Sequence, residues 1–324
     1  MELPDKKLKL INAGKIVCEE ELLRISDDET AVKVDAIGVC SSDCRNYAHF
    51  DTGYFGHELV GRIITPHEAF QRDDRVVVMH RYGCRQCPAC RSGSYNLCMR
   101  PVKVDVGFRK FVKIRKHEAQ YCLYKIPRGV CISEAVFADS AACAVHALKI
   151  TDIKPTEKVI ILGCGFMAVI FSLMIQIHNR NISVYVRNPK KKAVCKSLGV
   201  ESLEPGQTDE IYGYFDVCID TAGDADLLKH ISKSMKCGSR CLCFSGVDDS
   251  NVFYSSYRDR EVRILFSKHH NPDDVRQALC MLKDGCLPFR HFIKSSYSLD
   301  AVEPVIKAML QGSILRGVIE MDSV

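Results

Sequence analysis

The feature that most limits how this chain folds is the hexapeptide Gly163-Cys164-Gly165-Phe166-Met167-Ala168, which follows an apolar run at 159–162 and leads into a helical pattern at 168–177. A glycine-rich turn there joins a buried strand to a helix. A second strand-like run at 182–186 completes a strand, helix, strand unit and implies a parallel sheet. The alternation continues, with helices expected at 189–198 and 225–235 and strands at 215–220 and 240–244. The glycines of a G-x-G-x-x-A turn let a pyrophosphate approach the backbone and the helix N-terminus, so Gly163, Gly165 and Ala168 are candidate dinucleotide contacts. A tight turn with no ligand is the plainer alternative. The second strand ends in Val186-Arg187-Asn188-Pro189-Lys190-Lys191-Lys192, with no carboxylate for the ribose hydroxyls. Arg187 and Lys191 suit a 2′-phosphate, which favours NADP(H) over NAD(H); a solvated basic helix start is the alternative.

Upstream of this region the chain is different in character. Residues 1–139 hold short strand-like runs at 31–37 and 75–79, divided by Gly, Asp and Pro, and after about 268 the pattern becomes helix and loop. A length of 324 residues fits two domains at roughly 100–200 residues each. With 45 basic against 40 acidic residues the net charge is +5, and no concentrated basic tract speaks for a nucleic-acid partner. No apolar run of about 18 residues speaks for a membrane span. The opening Met1-Glu2-Leu3-Pro4-Asp5-Lys6-Lys7 is polar and no apolar stretch follows, so the 18 cysteines are expected to be reduced in a cytoplasm. Cys195, Cys218, Cys241, Cys243 and Cys280 sit in apolar stretches and read as core.

Two other groups of residues carry chemistry. Cys84, Cys87, Cys90 and Cys98 form C-x-x-C-x-x-C-x7-C, with Gly83, Pro88 and Gly93 to turn the chain between them. Four thiolates close a tetrahedral shell around zinc and leave no open position, which makes the expected role structural. A redox relay, a C-x-x-C pair with bystanders, and an iron–sulfur cluster are the alternatives. Cys40 in Gly38-Val39-Cys40-Ser41-Ser42-Asp43 and His57-Glu58 in Gly56-His57-Glu58 offer a thiolate, an imidazole and a carboxylate at strand ends, a set suited to an open zinc site. A core thiol and a surface pair are the plainer reading of those residues taken alone.

Together these motifs, in this order along nearly the whole chain, resemble the zinc-dependent medium-chain alcohol and polyol dehydrogenases, in the branch of sorbitol and threonine dehydrogenases. The resemblance also takes in a closing segment at 312–318. It implies an α/β protein in which a mostly-β, GroES-like catalytic domain (1–139 and 268–324) surrounds a Rossmann domain with a doubly wound parallel sheet (140–267). By the same resemblance Cys40 and His57 bind catalytic zinc, Glu58 is a ligand or exchangeable neighbour, Ser42 passes the substrate proton, and Asp43 orients a zinc-bound histidine. A further ligand falls at Asp139, ahead of His146-Ala147, where the polyol branch usually has Glu and alcohol dehydrogenases have Cys. Two zinc ions per chain and a homodimer or homotetramer are implied.

The activity implied is reversible hydride transfer between NADP(H), or NAD(H), and a secondary alcohol or its ketone. A carboxylate-rich zinc shell suits a polyol, sugar or cyclitol, and Arg45, Arg109, Lys110, Arg115 and Lys116 are candidates to recognise a phosphate on it, or an ordinary solvated face. Two other readings are a zinc-free quinone or enoyl reductase of the same superfamily, and a non-catalytic NADP(H)-binding sensor with structural zinc. The intact Cys40, His57 and Glu58 argue against the first, and the accompanying Ser42 and Asp43 against the second.

Overall fold

The structure is a computed structural model that describes residues 1–50, 55–246, 251–293 and 296–321. The chain divides into two compact units, one of residues 1–140 and 271–324, the other of 141–270.

In the first unit an antiparallel hairpin of Glu2–Asn12 with Lys15–Arg24 precedes a seven-stranded sheet. The organising strand is Glu29–Val39, whose apolar residues Ala31, Val32, Val34, Ala36, Ile37 and Val39 are buried throughout. A strand apolar on both faces demands cover on both. It pairs antiparallel with Glu58–Ile63, Phe111–Arg115 and Gly317–Glu320. Register then positions chemistry: Gly38 lies opposite Glu58 and Val39 opposite Gly317. Cys40, one residue past the strand, therefore emerges beside the start of the Glu58 strand, where the helix Ser41–His49 begins. Gly38 leaves room for this, since a Cβ there would stand 2.5 Å from Glu58 Oε2.

The second unit is a six-stranded parallel sheet ordered Glu201–Leu203, Ile182–Tyr185, Val159–Leu162, Phe215–Asp220, Met235–Cys243, Arg263–Phe266. Strand order reverses between Val159–Leu162 and Phe215–Asp220, which makes their carboxyl ends the switch point where ligands of such sheets bind. Its core gathers Ile160, Leu162, Phe215, Leu228, Ile231 and Tyr257 with Cys218, Cys241 and Cys243.

Several elements differ from the sequence pattern. The edge strands Glu201–Leu203 and Arg263–Phe266 escape the sequence pattern because three or four residues with charged ends show no period. The region after 268 contains strands as well as helices, at Ser296–Tyr297 and Gly317–Glu320. Helix is interrupted at both ends of the expected spans: Pro189 starts a 3-10 turn ahead of the helix Lys192–Leu198, and the helix Ala225–Ile231 gives way to a 3-10 turn at Ser232–Ser234. Cys280 lies on the exposed face of the helix Pro272–Lys283 and is not core. All the cysteines are free thiols. Among the described residues no helix is long and apolar enough to cross a membrane.

Strand contact leaves no space at Gly61, where a Cβ would sit 2.2 Å from the Lys33 carbonyl oxygen. Gly61→Ala should lower stability by about 1–3 kcal/mol, the range for overpacking a tight core. A urea melt checks this, and an unchanged midpoint would mean the two strands are not in this contact.

Candidate metal and dinucleotide sites

Asp43 is the organiser of the first site. Fully buried in the first turn of the helix Ser41–His49, it accepts the Cys40 N–H on Oδ2 at 2.7 Å and the Gly56 N–H on Oδ1 at 2.8 Å. One carboxylate thus fixes the backbone at Cys40 and next to His57, and His57 Nδ1 stands 3.8 Å from its Oδ1. Cys40, His57 and Glu58 converge, each offering a donor atom within 4.8 Å of the others. Asp139 approaches from the helix Ala138–Thr151, its Oδ2 4.0 Å from His57 Nε2.

Glu58 is held by residues the sequence reading did not single out. Arg316, buried just ahead of the last strand, donates from Nη1 to the Val39 carbonyl at 2.6 Å and from Nη2 to Glu58 Oε1 and Ser140 Oγ, both at 2.8 Å. The Ser140 hydroxyl donates to the same Oε1. Oε2 of Glu58 and Nδ1 of His57 are buried without a hydrogen-bond partner, as is the Ser42 hydroxyl. A lone arginine at a strand start gives no sequence signal; strand register alone brings it here.

Charge in this cluster is shared unevenly. Burial opposes ionisation of Cys40, yet Arg316 and His57 draw its thiol down to about 6. Burial also opposes a charged His57, but Cys40 and Asp43 hold its imidazole well above its usual range. Burial pushes Glu58 up to about 7 against the pull of Arg316. A thiolate, an imidazole and an orphaned carboxylate oxygen in one buried cluster are a borderline-soft donor set that zinc satisfies.

The second cluster is Cys84, Cys87, Cys90 and Cys98, whose sulfurs lie within 4.8 Å of one another. Cys87 precedes the short helix Pro88–Arg91 that carries Cys90, and Cys98 follows the turn Tyr95–Leu97. Backbone N–H groups of Met99 and Cys90 draw the Cys87 thiol down to about 6, and those of Gln86 and Cys87 lower Cys84. Four sulfurs, two of them favoured as thiolates, fit a closed tetrahedral metal shell.

In the second unit a cleft of about 210 Å³ opens at the switch point, lined by Gly163, Arg187 and Lys191 among others. Gly163 has φ +93°, a value glycine adopts without strain. Gly165 precedes the helix Phe166–Ile175 and Ala168 is buried in its first turn; neither lines the cleft. The stretch 186–192 has no carboxylate, but the cleft does, because Asp224 reaches it from the end of a different strand. An open glycine turn, cations and a carboxylate at this position fit a dinucleotide.

Of the cations that the sequence offers for phosphate recognition, Arg109 is not available. It is buried and engaged by Asp5, Asp105 and Glu21, so it is structural.

The fold and donor sets define a GroES-like domain joined to a Rossmann unit. Residues 26–128 match the alcohol dehydrogenase GroES-like domain family. The chain is 25% identical to a sorbitol dehydrogenase of Bacillus subtilis over 316 residues, 89% of this chain and 88% of that protein. Among solved structures it resembles L-idonate 5-dehydrogenase from Escherichia coli, with TM-score 0.88, 16% identity and 99% of each chain covered. It also resembles a putative zinc-binding dehydrogenase from Sinorhizobium meliloti bound to NADP, with TM-score 0.83, 20% identity and coverage of 98% of this chain and 99% of that one. These likenesses show an alcohol dehydrogenase GroES-like domain at 26–128 and make the chain as a whole similar to sorbitol and zinc-type alcohol dehydrogenases.

Breaking a buried ion pair from one side strands the other charge. Arg316→Met should therefore cost about 3–5 kcal/mol, with the Arg316→Met/Glu58→Gln pair recovering much of it. Denaturant melts of the three proteins read this out; equal midpoints would show that Arg316 does not hold Glu58.

Proposed function

We propose that the chain catalyses reversible oxidation of a secondary alcohol to its ketone with NADP(H), NAD(H) being the alternative coenzyme. The substrate is a polyol, sugar or cyclitol, with or without a phosphate. The observation that carries the reading is the convergence of Cys40, His57 and Glu58 around Asp43 and Arg316, with an unpartnered Ser42 hydroxyl in the same turn. Relatives named for sorbitol and L-idonate support the polyol class.

Bound zinc supplies positive charge at the substrate oxygen, and the nicotinamide dinucleotide supplies the hydride donor or acceptor. The protein's own residues do the rest. Cys40 and His57 hold the metal through side chains whose backbone Asp43 fixes in advance. Glu58 keeps one oxygen tied to Arg316 and Ser140 and has the other to offer, as ligand or as exchangeable neighbour. Asp139 stands on the His57 side as a further carboxylate, shorter than the glutamate of the polyol branch. The Ser42 hydroxyl moves the alcohol proton, and Gly163, Arg187 and Lys191 bind the dinucleotide, the two cations facing a 2′-phosphate. The four cysteines at 84–98 hold a second zinc with no open position, so it takes no part in turnover.

Metal analysis of the purified protein should give two zincs per chain, falling to one in Cys40→Ala with the fold retained. One zinc in both proteins would overturn the alcohol dehydrogenase reading in favour of a zinc-free reductase or a sensor. Ser42→Ala should keep both zincs and lower kcat about 10²–10⁴-fold on an active polyol, the usual contribution of a positioned proton carrier. An unchanged kcat would remove Ser42 from the proton path.

A further inference from the structure

The cleft at the switch point pairs a cation with an anion. Arg187 Nη1 lies 2.5 Å from Asp224 Oδ2. Asp224 is also the residue before the helix Ala225–Ile231, where its Oδ1 accepts the Leu227 N–H at 3.0 Å. The two partners differ in freedom: the Arg187 side chain is 74% exposed, that of Asp224 only 24%. Arginine can swing away from this pair. Aspartate cannot leave without uncapping a helix, so a negative charge stays in the cleft whatever Arg187 does.

We propose that Asp224 sets the coenzyme preference of this cleft, engaging Arg187 and presenting a carboxylate to an unphosphorylated adenosine ribose so that NAD(H) competes with NADP(H). The inference rests on reading this cleft as the dinucleotide site. A 2′-phosphate must take Arg187 from Asp224 and then sit beside a fixed like charge, with Lys191 as the other cation lining the cleft. A 2′-hydroxyl meets no such opposition and can donate to the carboxylate, the role that acidic residues at the end of the second strand play in other dinucleotide folds. Here the acid arrives from the end of the Phe215–Asp220 strand. The Leu227 N–H, with Arg187 adding to it, holds the Asp224 carboxyl below its ordinary range, so it is charged at neutral pH.

The test is direct binding, without turnover: fluorescence titration of the full-length protein with NADPH and with NADH at one fixed ionic strength. Asparagine caps helices as well as aspartate does, so Asp224→Asn removes the charge and keeps the cap. It should shift the ratio of the two dissociation constants toward NADPH by about tenfold or more, the scale of one lost charge contact. Arg187→Ala should shift the ratio the other way. Asp226→Asn, in the same helical turn but not lining the cleft, should leave it unchanged. If wild type binds both coenzymes and Asp224→Asn leaves the ratio where it was, the proposal is overturned while the dinucleotide reading stands. If wild type binds neither, both fall together.

Discussion

The buried pair between Arg316 and Glu58 ties the first unit together. A carboxylate and a guanidinium taken out of water are costly unless every remaining donor and acceptor is met. Here the Val39 carbonyl and the Ser140 hydroxyl meet part of that need, and Glu58 Oε2 is left over to face Cys40 and His57. The four groups come from the central strand, the next strand, the helix at 138–151 and the residue just ahead of the strand Gly317–Glu320. The closing strand thus supports the candidate metal site, because its register against Val39 delivers the guanidinium that makes a buried Glu58 tolerable next to Cys40 and Asp43.

Asp43 plays the complementary part on the other side. It fixes the backbone at Cys40 and Gly56, so two donors from separate segments of the chain are held side by side by protein hydrogen bonds. Preorganisation of this kind is what separates a binding site from a chance cluster of cysteine and histidine. The donors are held by hydrogen bonds to backbone and to charged groups.

What the sequence makes legible is what is local. The glycine turn is bracketed by its strand and helix within about twenty residues, and the four cysteines share one short loop, so spacing alone exposes both. Cys40, His57 and Glu58 are marginal on spacing and gain meaning only from the motifs around them. Arg316, Ser140 and Asp224 are invisible, since strand pairing brings Arg316 and Asp224 to their sites and a helix distant in sequence brings Ser140. The same cause misleads over Arg109: as a surface cation it looks available, yet Asp5 and Glu21 come from the amino-terminal hairpin to neutralise it. Asp224 matters most, because a coenzyme preference read only from the end of the second strand misses a carboxylate contributed by another.

Cys40, His57 and Glu58, prepared by Asp43 and Arg316, are proposed to bind a metal of their own, separate from the four-cysteine cluster. Anomalous diffraction from crystals of the zinc-loaded protein, collected on both sides of the zinc absorption edge, tests it most directly. Two peaks per chain are expected, one within the four sulfurs at 84–98 and one bonded to Cys40 Sγ and His57. A single peak at the four sulfurs, in protein grown with zinc in excess, would contradict it.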